Sequence, residues 1–230
     1  MTASYHKRPE WSYSSLKPIL DSGIDYAVAC RKGIVPPPDS KFIDMGQLIH
    51  QMVLGGEEVF VMSPFPDFRT KIAQEWRDSQ IANDKIILTK EMQEAAEKIV
   101  DNIKKHPHSE KFLLGEGFKH EQEMFAKTAE GIDLRGKADA VKLIDNEALI
   151  VTDIKTTAQF DKFMKSAYWN HYDLQAATYT LIVASCMKVD PSMMNYYFCV
   201  AETVAPYRVQ YIHAGLEFVE AGERKLRICI

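Results

Sequence analysis

The sequence predicts an α/β fold in which a central mixed β-sheet is flanked by helices. Two observations predict it. Apolar residues recur with helical spacing up to about residue 115, whereas short strand-like runs surround one long helical segment from residue 118 onward. No linker separates the two parts. We therefore expect one domain over residues 1–230, with a helical part at about 11–115, a sheet core at about 118–213 and a closing helix at about 215–230.

The composition is that of an ordinary globular protein. Of the 230 residues, 46% are hydrophobic and 26% are charged, with a formal net charge of −4. These values exclude a disordered chain and give no overall basic surface for nucleic acid or membrane. No apolar run reaches the ~18 residues of a membrane-spanning helix, and the N-terminus lacks the apolar segment of a signal peptide. We therefore expect a cytoplasmic protein with no membrane partner.

The four cysteines do not have the spacing of a metal site. They lie at Cys30, Cys186, Cys199 and Cys229, and no C-x-x-C pair occurs. Zinc and iron–sulfur sites usually take at least two ligands from one tight turn. We therefore expect buried thiols and no iron–sulfur cluster.

Helical patterns dominate the N-terminal part. Helices are predicted over residues 12–32 with an interruption at 22–23, and over 42–54, 67–82 and 89–105. Thr89 is a plausible N-cap of the last of these. The triplet 36–38 (PPP) predicts a loop, because proline restricts its own φ and the residue before it.

Strand character begins near residue 118. Strands are predicted over residues 118–126, 132–143 and 148–155, then a long helix at about 159–187, strands at 194–201 and 206–213, and a helix from residue 216. The first three strands form a meander because their connections are short and turn-like.

Two aspartates of the meander are predicted to face each other. If residues 145–147 close a tight hairpin, residue 144 pairs with residue 148, and the same register places Asp139 opposite Asp153. Directly opposed side chains have Cβ atoms roughly 4.5–5.5 Å apart, and like charges at that separation are destabilising. A hard divalent cation between them would remove the repulsion, and Mg²⁺ prefers carboxylate oxygens.

The alternation of side chains along a strand extends this group. Lys155 lies on the face of Asp153, whereas Ile154 turns into the core. Folding the preceding strand back about Ala129 brings further charges to the same face: Glu121, Glu123, Arg135 and Lys137. A solvated charged face would give the same pattern. The apolar run 148–151 that leads into Asp153 favours a functional site, because buried strands seldom end in opposed charges without a reason.

Five segments resemble motifs of one nuclease superfamily. They are 136–141 (GKADAV), 151–157 (VTDIKTT), 45–50 (MGQLIH), 175–179 (QAATY) and 11–16 (WSYSSL). Their order and spacing along the chain resemble those of the PD-(D/E)XK nucleases, and in particular the RecE-type (exodeoxyribonuclease VIII-like) exonucleases of phages and prophages. Ala138 stands where the name of the motif has proline. The resemblance implies a restriction-endonuclease-like core, with a mixed sheet flanked by helices.

The resemblance also implies a role for each polar residue of these motifs. Asp139 and Asp153 would bind Mg²⁺ together with His50 and the carbonyl of Ile154. Lys155 would orient or help to deprotonate the attacking water and stabilise the charge that develops on the phosphate. Without the resemblance, His50 would be assigned to a helix face and Lys155 to a salt bridge with either aspartate.

Other positions have two interpretations. Glu121 lies where the family places an acidic residue one strand earlier, and Glu123 on the same face is the alternative. Gln175, Tyr179 and Tyr172 share a helix face that would contact the DNA backbone, although core packing of the tyrosines explains the same spacing. Lys162 and Lys165 would either contact phosphates or belong to a solvated helix face.

The expected function is therefore a Mg²⁺-dependent DNA exonuclease, with Mn²⁺ able to replace Mg²⁺. By resemblance it would digest duplex ends from 5′ to 3′ for recombination or repair, in a bacterial or phage-infected cell. It would form a ring of three or four copies and supply a 3′ single strand to an annealing recombination protein. Two alternatives stay open: a restriction-like or repair endonuclease on the same core, and a catalytically silent DNA-binding module.

Overall fold

The N-terminal part of the chain is helical, as the sequence predicts. The computed structural model describes residue 5 and residues 8–35, 45–55, 60–83, 85–144 and 148–230. The helices of this part are α1 (Tyr13–Ser22), α2 (Ile24–Arg31), α3 (Met45–Leu54), α4 (Lys71–Ala82) and α5 (Lys90–Lys105). The predicted loop 36–38 and the predicted start of α3 at residue 42 lie outside the described residues.

Local chemistry sets the ends of these helices. Gly23, which separates α1 from α2, has a φ of 89°, a backbone conformation that favours glycine. The side chain of Thr89 accepts a hydrogen bond of 3.3 Å from the backbone N–H of Met92, so the predicted N-cap of α5 is confirmed.

A small parallel sheet between the helices was not predicted. Strand β1 (Phe60–Met62) pairs with β2 (Ile86–Leu88). Three residues are too few to show a period of two, so these strands left no pattern in the sequence.

The main sheet has five strands. They are β3 (Lys119–Lys127), β4 (Asp133–Ile144), β5 (Ala148–Thr157), β6 (Met194–Glu202) and β7 (Val209–His213), in that spatial order. Only β5 and β6 pair in parallel, so the sheet is mixed, as predicted. The β4–β5 register runs from Ile144 opposite Ala148 to Ala140 opposite Thr152, which is the predicted register. The turn 145–147 lies outside the described residues.

The predicted helix 159–187 is wrong in its continuity. The structure has a 3₁₀ turn (Phe160–Lys162), α6 (Phe163–Trp169) and α7 (Tyr172–Met187). The break follows from Asn170 and His171: the Tyr13 hydroxyl donates to the Asn170 carbonyl, and His171 has a left-handed φ of 54°. The chain ends in helix α8 (Leu216–Cys229).

Helices cover both faces of the sheet. One face packs under α7 through Leu134, Ala138 and Val151. The other packs under α3 and α5, where Ile49 and Ile99 belong to one buried cluster with sheet residues. The sheet is therefore buried on both faces. None of the described helices is long and apolar enough to cross a membrane.

Candidate active site

A cavity of about 520 Å³ opens where α1 and α3 meet the carboxyl end of β5. It brings together most of the residues that the sequence singled out. Those in its wall are His50, Glu121, Asp139, Ile154, Lys155, Tyr172 and Tyr179.

Three side chains in this cavity form a possible metal site. Donor atoms of His50, Glu121 and Asp139 all lie within 4.8 Å of one another. The Nε2 atom of His50 is 3.5 Å from Asp139 Oδ2 and 3.0 Å from the carbonyl oxygen of Ile154. Helix α3 thus directs its histidine towards two strands of the sheet, and an imidazole, two carboxylates and a carbonyl converge.

The environment of Asp139 favours a nearby cation. Its side chain is buried, and Oδ2 accepts a hydrogen bond of 2.7 Å from the backbone N–H of Ile154. Burial raises the pKa of Asp139 to about 6, an effect that His50 opposes and the charge of Asp153 reinforces. The buried carboxylate therefore lacks positive charge, which a metal ion would supply.

The sheet is distorted at the residues that carry this cluster. Gln122 pairs with Ala138 and His120 with Ala140, but Glu121 and Asp139 between them form no such pair, and Glu121 has a left-handed φ of 54°. Ala138 belongs to the core under α7, whereas Ala140 belongs to the core under α3 and α5. The two faces of β4 therefore exchange at Asp139.

This distortion separates the two candidate glutamates in space. Regular alternation places Glu121 and Glu123 on one face, but Glu123 is exposed and does not line the cavity. Glu121 lines it and forms an ion pair with Lys137. The distortion could not be predicted from the sequence, because residues other than glycine, such as Glu121, rarely adopt a left-handed φ.

Asp153 lies in a different setting from Asp139. Its Oδ2 is 2.5 Å from Lys155 Nζ, and its Oδ1 accepts a hydrogen bond of 2.7 Å from the side-chain amide of Gln175. It does not belong to the group of His50, Glu121 and Asp139. The Cα pairing of β4 with β5 ends one step before the two aspartates. Their joint binding of one cation stays a prediction.

Lys155 is held as a cation beside Asp153. Its Nζ also lies 4.7 Å from the centre of the Tyr172 ring, a distance suited to a cation–π contact. Burial opposes the charge, but Asp153, Tyr172 and Asp139 outweigh it and raise the pKa of Lys155. Lys155 is therefore protonated at neutral pH in this arrangement.

Comparison with known proteins identifies the family. Residues 12–230 match the family described as a PDDEXK-like domain of unknown function (DUF3799). The chain belongs to this family. No curated protein sequence matches the chain.

One solved structure shares the fold of this chain. It is a crystal structure of a protein from Eubacterium rectale, named "Putative exonuclease", with 15% identity and a TM-score of 0.63, covering 99% of this chain and 84% of its own. At this identity the likeness concerns the fold alone. A structure of a protein named SSO0001 has 16% identity and a TM-score of 0.35 over 79% of this chain and 85% of its own.

The predicted DNA-contacting residues of the PDDEXK-like domain have structural partners. Gln175 is buried, and its amide is directed at Asp153 rather than at solvent. The Tyr179 hydroxyl donates to the carbonyl of Lys137 at 3.0 Å, which ties α7 to β4. Tyr172 lies beside Lys155. All three help to build the site, and contact with DNA stays a prediction.

Sequence reasoning predicted His50 but missed other residues of the N-terminal helices in this wall. Gln47, His50 and Gln51 of α3 line the cavity together, as does Tyr13 of α1. The Oε1 atom of Gln51 is buried without a hydrogen-bond partner in the described part of the chain. Gln47 precedes His50 by three residues and precedes Gln51 by four, and this helical spacing was the signal that could have found both glutamines.

Proposed function

We propose that this PDDEXK-like domain is a metal-dependent DNA exonuclease that hydrolyses phosphodiester bonds from duplex ends. The observation that carries the proposal is the cavity, where the group of His50, Glu121 and Asp139 lies beside the ion pair of Lys155 with Asp153. The membership in a PDDEXK-like family and the likeness to a protein named an exonuclease support it.

The residues of the cavity fit a divalent metal ion. Carboxylate and carbonyl oxygens are ligands that Mg²⁺ and Mn²⁺ prefer, and the imidazole of His50 suits Mn²⁺ as well. His50, Glu121, Asp139 and the Ile154 carbonyl would hold the ion, with Asp153 as the predicted further ligand. When bound, a metal ion polarises a phosphoryl oxygen and activates water for attack. The raised pKa of Asp139 agrees with binding of a cation here, as does the Oε1 of Gln51, which is buried without a hydrogen-bond partner among the described residues.

The other residues would position charge around the phosphate. Lys155 reaches the cavity as a protonated amine, so it would neutralise negative charge as that charge grows on the phosphoryl oxygens. Asp153 fixes its amine, and Gln175 in turn holds Asp153. Helix α7 therefore positions the lysine through Gln175 and Asp153.

A comparison of linear and covalently closed circular DNA tests the exonuclease assignment. Linear duplex should be digested in Mg²⁺ and spared in EDTA, while the closed circle stays intact. Nicking of the closed circle would instead assign an endonuclease. Binding of DNA without any cleavage in Mg²⁺ or Mn²⁺ would assign the silent binding module.

The direction and the assembly are parts of the same proposal that rest on the sequence resemblance. We propose digestion from 5′ to 3′ by a homo-oligomeric ring, which leaves a 3′ strand for an annealing protein. A closed ring retains a polymer through many cycles because escape requires the whole strand to thread out. Duplexes labelled at either the 5′ or the 3′ end give the direction, and light scattering of the purified protein gives the number of copies. Loss of the 3′ label first, or a strict monomer, would contradict this part alone.

A further inference from the structure

Helix α6 carries an exposed aromatic surface next to the cavity. The helix buries Phe163 and Ala167, and its opposite side is exposed. Tyr168 is 64% exposed and Trp169 is 66% exposed, beside Met164 at 55%. We call the exposed residues Lys162, Met164, Lys165, Tyr168 and Trp169 the α6 platform. Two large rings in solvent on one short helix need an explanation, because aromatic side chains are usually largely buried.

The charge of the platform favours an anionic ligand. Lys162 and Lys165 are exposed, and neither has a salt-bridge partner among the residues that the structure describes. The neighbouring carboxylate of Asp161 is already bound by Arg208, at 2.9 and 3.1 Å. The lysines therefore leave the platform with a net positive charge beside its rings.

The platform lies near the wall of the cavity. Trp169 lies three residues before Tyr172, which lines the cavity, so their Cα atoms are at most about 11 Å apart. Between them, the carbonyl of Asn170 accepts a hydrogen bond from Tyr13, another residue of the cavity wall. Trp169 therefore lies near the place where a strand would pass Tyr13 and Tyr172.

We propose that the α6 platform binds unpaired nucleotides of the DNA strand that enters the cavity. A base would stack on Trp169, while Lys162 and Lys165 would contact the adjacent phosphates. An aromatic ring gains little from a duplex, whose bases are already stacked on each other, whereas a single strand offers a free face at every base. Tyr168 would contribute less, because Lys225 Nζ lies 5.6 Å from the centre of its ring.

A second copy of the chain fits the platform less well. Lysine is depleted at protein–protein interfaces, and both lysines of the platform would be brought into contact there. The proposal rests on the proposed nuclease function, because it takes the cavity as the place where the strand is cleaved.

Binding of a single strand tests the platform separately from cleavage. A fluorescent oligothymidine is titrated with the full-length protein in EDTA, which prevents cleavage, and its anisotropy is followed. Trp169→Ala should weaken binding about 5- to 150-fold, the range expected for the loss of one stacked base. Trp169→Phe should retain most of the affinity because it keeps a flat ring. The control is Ile72→Ala, which removes a 70% exposed apolar side chain from α4 and should bind like the wild type.

Each other outcome overturns a defined claim. If the wild type digests linear duplex but Trp169→Ala binds the oligonucleotide equally well, the platform is not a nucleotide site and the nuclease function stands. If Trp169→Ala lowers the molar mass in light scattering, the surface is an interface between copies. If the wild type neither binds the oligonucleotide nor cleaves duplex, both proposals fail.

Discussion

At the scale of single residues, the carboxylate of Asp139 is buried and its charge is incompletely compensated, because burial raises its pKa to about 6. Asp139 and Asp153 are both buried, and basic side chains of Lys155 and His50 lie beside them. Lys155 pairs with Asp153, whereas Asp139 contacts His50 and accepts a hydrogen bond from one backbone N–H. Such incomplete compensation of a carboxylate by the protein's own groups is expected where the carboxylate binds a metal ion.

Replacement of Asp139 should reveal this incomplete compensation as a pH-dependent gain in stability. Burial raises the pKa of Asp139 from 3.8 to about 6. The protonated carboxyl group therefore stabilises the folded state below pH 4, and this stabilisation is lost as the pH rises through 6. Asp139→Asn should therefore stabilise the metal-free protein at pH 7 by on the order of 2 kcal/mol and have little effect at pH 4. Urea unfolding in EDTA at both pH values measures the difference.

The control for this experiment is Glu220→Gln, which changes an exposed carboxylate on α8 and should alter stability little at either pH. An equal effect of Asp139→Asn at pH 7 and pH 4 would show that the charge of the buried carboxylate is not the cause.

Removal of Lys155 should separate catalysis from binding. Lys155→Ala should lower the cleavage rate by roughly 10²- to 10⁴-fold, the range typical of a catalytic side chain. Affinity for Mn²⁺ should be kept or should rise, because a positive charge near the carboxylates is lost. Single-turnover cleavage and calorimetric titration measure the two quantities, with the exposed Lys119→Ala as control. Cleavage at the wild-type rate by the metal-saturated variant would limit Lys155 to a structural role.

At the scale of elements, the sequence was informative where structure is local. The register of β4 with β5 followed from a hairpin closed within a few residues, and it is confirmed from Ile144 opposite Ala148 to Ala140 opposite Thr152. The predicted pair of Asp139 and Asp153 is not among these pairs. The exchange of faces at Asp139 was not predictable, because it arises from the backbone of Glu121 on a neighbouring strand. The break after α6 also depends on a distant partner, Tyr13 of α1.

The contact between α7 and α8 gives a prediction of this scale. Gly222 of α8 lies so close to α7 that an added Cβ would be 1.8 Å from the carbonyl oxygen of Asp173 and 3.0 Å from the Cβ of Ala177. Alanine usually stabilises a helix relative to glycine by roughly 0.5–1 kcal/mol. Here Gly222→Ala should instead destabilise the protein by about 1–3 kcal/mol, because the helices must separate.

Urea unfolding at neutral pH tests the sign of this change. Glu220→Ala, on an exposed position of the same helix, serves as the control and should stay within about 0.5 kcal/mol of the wild type. A stabilised Gly222→Ala protein would mean that the two helices do not pack at this distance.

At the scale of the whole molecule, one side of the protein combines the parts that a nuclease needs. The N-terminal helices supply His50 and one wall of the cavity, the sheet supplies the carboxylates and Lys155, and α7 holds Asp153 through Gln175. The α6 platform lies near the same cavity, with Trp169 three residues before Tyr172 of its wall. A net charge of −4 does not oppose DNA binding, because phosphate contacts require only a local basic surface and metal ions add positive charge.

The most direct test of this account is the digestion of a 5′-labelled linear duplex by wild-type protein and by Asp139→Asn, each in Mg²⁺ and in EDTA. The account predicts release of label by the wild type in Mg²⁺ alone, and none by the variant under either condition, although the variant should be folded and at least as stable. Digestion by Asp139→Asn at the wild-type rate, or digestion by the wild type in EDTA, would contradict a metal-dependent nuclease site in this cavity.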